Sequence, residues 1–251
     1  MHAEMTSFPS ELISKMVHCV EEAVGSDIRA DMANLATSNS ISSRIWDLLN
    51  TNLIKNLKDD CTVLTTNRYR WQMMIIFEKN TQCIFTFMRE KRFAQLCRLQ
   101  YKRKYMHYID MMAKQFNSEL MPEQEQLTLF SHTFLDENRL VEKVQKLLRD
   151  LKGGISVVQN HVLILFDTMD YQLSSIRAVM VTPNLDIAQG CSQDWSKYIS
   201  ADEGVVVERV IHPEAPENHP NRGLALTKKS LERKQNNLHQ KEAAQTSETE
   251  Q

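Results

Sequence analysis

The chain has 251 residues, 42% of them hydrophobic, with a formal net charge of -2 and a pI of about 6.5. That is enough apolar material for one globular core plus a tail, and no global field draws the molecule to nucleic acid or to a membrane surface. Six glycines, with Gly153-Gly154 as the single adjacent pair, offer none of the spacings that cradle phosphates, which excludes a nucleotide-hydrolysing loop.

Residues 1–10 lack a basic stretch followed by an apolar one, so no secretory leader is expected. No run of about 18 apolar residues exists to span a bilayer. The five cysteines, Cys19, Cys61, Cys83, Cys97 and Cys191, include no C-x-x-C pair and fall largely in apolar patterns. They read as reduced, buried thiols of a cytoplasmic protein.

In chain order, Ser10 precedes apolar residues at Leu12, Ile13, Met16, Val17, Val20 and Val24. This predicts an amphipathic helix capped at Ser10 and stopped by Gly25. Residues 26–39 are polar and read as irregular or weakly helical. A second helix is predicted from Ser40 to Leu57, with Ile41, Ile45, Trp46, Leu48, Leu49, Leu53 and Leu57 on its buried side. Strand texture follows: a β-branched run from Cys61 to Thr66, a Met/Ile/Phe run from Trp71 to Glu78, a tight turn at Lys79-Asn80, and a partner run from Gln82 to Met88. Trp71, Met73, Met74, Phe85, Phe87 and Met88 read as sheet core rather than as a cofactor pocket.

A long helix is predicted from Arg89 to Phe116. Its first part holds seven cations, Arg89, Lys91, Arg92, Arg98, Lys102, Arg103 and Lys104, against the single acid Glu90. Tyr101, Tyr105 and Tyr108 interleave with them, a pattern that suits phosphate contact with base stacking. On a helix Lys91, Arg98 and Lys102 share one side, and Arg89, Arg92 and Arg103 another. The alternative is a solvated helix whose cations pair with Glu119, Glu123 and Glu125.

Beyond it, Gln126-Leu127-Thr128-Leu129-Phe130 resembles the peptide by which bacterial replication and repair proteins dock on the DNA sliding clamp. In that mode Leu129 and Phe130 fill an apolar pocket while Gln126 fixes the register. The competing reading is an amphipathic turn that buries Leu127, Leu129 and Phe130 as core. Asp136 starts a helix through Leu140, Val144, Leu147 and Leu151, ending before Gly153-Gly154. A last hairpin pairs His161–Asp167 with Ser174–Thr182 across a turn at residues 169–172. From Pro213 onward there is no aromatic residue and no large aliphatic one but leucine, so this stretch reads as disordered.

The predicted fold is α+β: a mainly antiparallel sheet of about five strands with four or more helices. The expected divisions are an N-terminal helix and connector at 1–39, a core domain at 40–200, and a mostly disordered tail at 201–251. The segments 71–78, 85–90, 163–167, 175–183 and Asp194-Trp-Ser-Lys-Tyr-Ile199 resemble an uncharacterised family of Firmicute and phage proteins. That resemblance implies a bacterial or phage source and no activity.

The order helix, three strands, helix, strand is also that of restriction-endonuclease-like nucleases, whose second and third strands carry metal-binding carboxylates beside a lysine. Here the third strand has no carboxylate, leaving only Glu78, Glu90 and Asp60 as candidates. His107 and His132 are isolated, and Cys191, His212 and His219 have no ligand spacing. No G-x-S-x-G elbow activates a serine. The sequence therefore points to a protein that acts by binding, without cofactor or metal. Its expected partners are the sliding clamp and nucleic acid, with a metal-dependent nuclease and a regulator of another protein as the alternatives.

Overall fold

A computed structural model describes residues 5–33, 36–68, 71–120, 142 and 158–200. The peptide Gln126–Phe130, most of the helix expected after Asp136, and residues 201–251 lie outside the described residues.

The first helix, α1 (Ser10–Val24), buries Leu12, Ile13, Met16, Val17, Cys19, Val20, Ala23 and Val24 on one face. Its N-cap is Pro9, without a side-chain cap bond, and Ser10 is already inside the helix. Proline's fixed φ is compatible with entry to a helix, but it offers no side-chain acceptor, so the expected serine cap is not formed. Gly25 stops the helix, its N–H donating to the carbonyls of Glu21 (2.9 Å) and Glu22 (3.2 Å). A Cβ there would lie 2.8 Å from the Glu21 carbonyl oxygen, a contact only glycine avoids. The polar stretch that follows is helical, as α2 (Ser26–Met32), anchored by the fully buried Ile28. Then comes α3 (Ile41–Leu57), which buries Ile45, Leu49, Leu53 and Leu57 at helical spacing.

Three strands form a meander: β1 (Cys61–Arg68), β2 (Trp71–Glu78) and β3 (Cys83–Arg89). The β2–β3 connection has four residues, not the two expected, because Glu78 pairs with Cys83. The Glu78 carboxylate organises it by accepting from the N–H groups of Asn80 (2.8 Å) and Thr81 (2.6 Å) and from the Thr81 hydroxyl (2.6 Å). Burial pushes this carboxyl's pKa up, but those hydrogen bonds together outweigh it and hold the pKa below its ordinary value.

The single long helix expected from Arg89 to Phe116 is two helices, α4 (Glu90–Arg98) and α5 (Tyr108–Phe116), with one 3₁₀ turn at Gln100–Lys102 between them. The break has a local cause. A capping box starts α5: the His107 N–H donates to Asp110 Oδ2 at 2.7 Å, and His107 Nδ1 accepts from the Ile109 N–H at 3.4 Å. Arg103 clamps the same buried carboxylate with two bonds of 2.6 and 2.7 Å.

The second meander is β4 (Asn160–Met169), β5 (Gln172–Val181) and β6 (Ile187–Asp194). Met169 pairs with Gln172, and the intervening Asp170 and Tyr171 both have positive φ, 49° and 59°. Two such residues match the two-residue turn that suits the twist of a hairpin. The strand β6, which the pattern did not predict, brings the sheet to six strands in the order β1-β2-β3-β4-β5-β6. Every pairing is antiparallel except the central β3–β4 pair.

The fold is α+β, and its central strands are covered on both faces. One face carries Ile76, Phe85, Phe87, Ile164 and Phe166 against α1, α2 and α3. The other packs Ile75, Ile84, Met88, Leu163 and Leu165 under α4 and α5. Asn117, fully buried after α5, ties that helix to the sheet by donating to the carbonyls of His161 (2.8 Å) and Val181 (3.0 Å) and accepting from the His161 N–H (2.9 Å). No helix among the described residues is long and apolar enough to cross a membrane.

Candidate functional site

The seven cations expected on one helix divide into three settings. Arg103 is structural: only 13% of its side chain is exposed, and its guanidinium is spent on Asp110. That pairing sets it apart from the exposed cations, because a buried carboxylate left without its partner is costly. Arg89 ends β3 and serves as the N-cap of α4 in an extended conformation. Lys91, Arg92 and Arg98 are exposed on α4, and Lys102 and Lys104 are exposed on the segment after it.

The buried face of α4 consists of Phe93 and Leu96. At 100° per residue the opposite face presents Lys91, Ala94, Gln95 and Arg98, with Arg92 at its flank. Glu90, the one acid of this stretch, is turned to the sheet and paired with Arg177 on β5, whose Nε donates at 3.2 Å. Consequently Arg89, Lys91, Arg92 and Arg98 line a groove of about 570 Å³, and no acid is among its described lining. None of these four makes an ion pair with another described residue. Tyr101 and Tyr105, next along the chain, are 68% and 62% exposed. Tyr108 differs from them: it is half-buried, and its hydroxyl donates to the Phe87 carbonyl at 3.4 Å.

A second hollow adjoins this groove. The β2–β3 ladder ends at Ile76–Phe85, although β2 begins five residues earlier and β3 continues to Arg89. The strands part, and a cleft of about 260 Å³ opens between them, backed by α3. Its apolar walls include Trp46, Met74, Phe87 and Met88; Asn50 and Gln72 bring side-chain amides to it. Arg89 and Arg92 line both the cleft and the groove, so the two hollows share a cationic edge. Sequence reasoning missed Asn50 and Gln72. The signal for Asn50 was present: it interrupts the apolar stripe of Trp46, Leu49 and Leu53 on α3.

The other chemistries considered find their residues occupied or apart. Glu78 closes a turn, Glu90 holds Arg177, and Asp60 accepts from Lys15 at 2.7 Å, so the three carboxylates of the nuclease alternative each have a separate structural partner. Among the described residues no three of His, Cys, Asp and Glu gather where a metal ion could be held. All five cysteines are free thiols. Burial pushes Cys19 up to about 11 and Cys61 up to about 12, and raises Cys83, Cys97 and Cys191 as well, which disfavours the thiolate at neutral pH. His107 is a helix cap rather than a ligand. Of the core residues expected on the strands, Met74, Phe85, Phe87 and Met88 are buried. Glu123 and Glu125, the acids expected to neutralise the basic stretch, lie outside the described residues.

Gln126, Leu127, Leu129 and Phe130, the candidate clamp peptide, also lie outside the described residues. No curated protein and no solved structure matches the chain. A family of unknown function, DUF5986, matches residues 5–245, which takes in both meanders, α4 and the cleft. The protein belongs to this family.

Proposed function

We propose that the protein is a non-enzymatic accessory protein that binds single-stranded nucleic acid along the exposed face of α4 and the segment following it. The observation that carries this reading is the groove lined by Arg89, Lys91, Arg92 and Arg98, with no described acid opposing them. Phosphates supply the complementary charge, and a strand continuing past Arg98 meets Lys102 and Lys104 between two exposed tyrosines. Basic side chains interleaved with aromatic rings bind a strand without reading its sequence, because every base has a face to stack. Duplex offers no such faces, which favours the single strand.

The test is fluorescence anisotropy of a labelled oligonucleotide with the full-length protein. A Lys91→Glu/Arg98→Glu variant is expected to lose at least about tenfold in affinity while keeping its melting temperature, since both side chains are exposed and neither has an ion-pair partner among the described residues. No binding by the wild type at low salt, or equal binding by the variant, overturns the reading.

A bacterial or phage source, and docking on a bacterial sliding clamp through Gln126, Leu127, Leu129 and Phe130, accompany this proposal and rest on the sequence of those segments. Leu129 and Phe130 would supply most of the clamp affinity, at roughly 1.5–3 kcal/mol for each side chain fully buried in the partner. A Leu129→Ala/Phe130→Ala variant is expected to lose clamp binding in a pull-down with purified clamp and to melt as the wild type does. Early melting of the variant would instead assign the two side chains to core packing.

A further inference from the structure

We infer that the cleft between β2 and β3 is a site for one nucleotide unit, its base held between the strands and its phosphate on Arg89 and Arg92. The inference deepens the strand-binding proposal and rests on it at Arg89 and Arg92, but it stands on a different hollow with its own apolar walls and amides. Three observations converge on it.

The first is shape. Beyond Ile76–Phe85 β2 stays paired with β1 and β3 with β4 but the two no longer pair with each other, so the gap is a slot in a sheet, closed behind by α3. At about 260 Å³ it lies just below the roughly 300–1,000 Å³ typical of drug-sized sites. A slot of that size suits one planar heterocycle better than an extended chain. The second is the wall. Trp46 is fixed edge-on against Phe166, with ring centroids 5.7 Å apart, and it faces the slot together with Phe87, Met74 and Met88. Aromatic and thioether groups of this kind are good partners for a flat aromatic ligand.

The third is polarity. Asn50 and Gln72 each bring an amide with donor and acceptor ends, and neither makes a hydrogen bond to another described residue. A base edge offers donors and acceptors to match them, whereas an acyl chain would desolvate both amides and return nothing. The anionic end of the ligand is specified separately. Arg89 and Arg92 are the residues shared with the basic groove, so a phosphate bound there sits where a strand on α4 would pass. The same chemistry fits a free nucleoside monophosphate and one residue of a bound strand.

Two arms distinguish these sources in the full-length protein. In the first, each of the four ribonucleoside 5′-monophosphates is titrated and followed by ligand-detected NMR. In the second, an oligothymidylate of about 12 nucleotides is followed by anisotropy. Gln72→Trp fills the slot from an exposed position, and Asn50→Ala/Gln72→Ala removes the amides without adding bulk. A melting curve establishes that each variant folds. The expected result is at least a fivefold loss of affinity for both variants in at least one arm. A response confined to the free monophosphates, with no strand bound by the wild type, supports the cleft and overturns the strand reading. Strand binding that falls with Lys91→Glu/Arg98→Glu yet ignores both slot variants, with no monophosphate bound, overturns the cleft and leaves the strand reading standing.

Discussion

At the scale of single residues, His161 carries the largest consequence for solution behaviour. Its side chain is fully buried on β4, where Nε2 lies 2.8 Å from the Thr86 hydroxyl and Nδ1 has no hydrogen-bond partner among the described residues. Burial lowers its pKa to about 3. In the unfolded chain an imidazole titrates near 6.5, so the unfolded state takes up a proton first as pH falls. The stability contributed by keeping His161 neutral is therefore complete above about pH 6.5. It declines towards pH 3, by up to about 1.4 kcal/mol per pH unit. Glu78 acts in the same direction but only at lower pH, because its folded pKa is depressed below the carboxylate value. Melting temperatures measured from pH 7 to pH 4.5 should fall for the wild type. They should fall less steeply for a Thr86→Val/His161→Leu variant, which removes both partners of the buried bond rather than orphaning one. Parallel profiles for the two proteins would refute the assignment.

At the scale of elements, the α4–α5 junction separates cations that hold the fold from cations free to meet a ligand. Arg103→Ala leaves the Asp110 carboxylate, 3% exposed, without its bidentate partner. Breaking a buried pair from one side costs about 3 kcal/mol or more. Denaturant unfolding of Arg103→Ala should show that loss, while Lys102→Ala and Lys104→Ala stay within about 0.5 kcal/mol of wild type. Equal stabilities would mean that Arg103 belongs with the exposed cations after all. This junction also marks where the sequence stops being legible. Apolar periodicity identified α1, α3, the first meander and the β4–β5 hairpin, because each is decided by which side chains leave water. Between Arg98 and Tyr108 the residues suit a helix throughout. The chain breaks there because Arg103 and His107 converge on Asp110, a geometry that periodicity does not encode. The edge strand β6 escaped notice for another reason: it is polar, it contains Gly190 at a positive φ, and only Ala188 and Cys191 are buried. Nor could composition reveal the cleft, since it depends on where two adjacent strands cease to pair.

At the scale of the molecule, a formal charge of -2 means that long-range attraction to a polyanion is absent. Affinity must come from the local cluster, and salt should expose this. Binding by all six of Arg89, Lys91, Arg92, Arg98, Lys102 and Lys104 would give a slope of log affinity against log salt of about -4, at roughly -0.7 per phosphate for a single strand. The Lys91→Glu/Arg98→Glu variant should show a shallower slope, and an identical slope would place the phosphates elsewhere.

The central parallel pair has a consequence for how the chain reaches this state. Within each meander, strands adjacent in sequence are paired, whereas β3 and β4 are separated by the seventy residues 90–159. Local hairpins close early, and a contact across so long a loop closes late. During synthesis β3 therefore emerges well before its partner, with the side chains of Cys83 to Met88, all buried in the final fold, beside an unpaired strand edge. An edge of that kind is a template for pairing with other chains. The interval between translating β3 and translating β4 is the period in which nascent copies of this protein are most exposed to aggregation, and in which a chaperone would have most to protect.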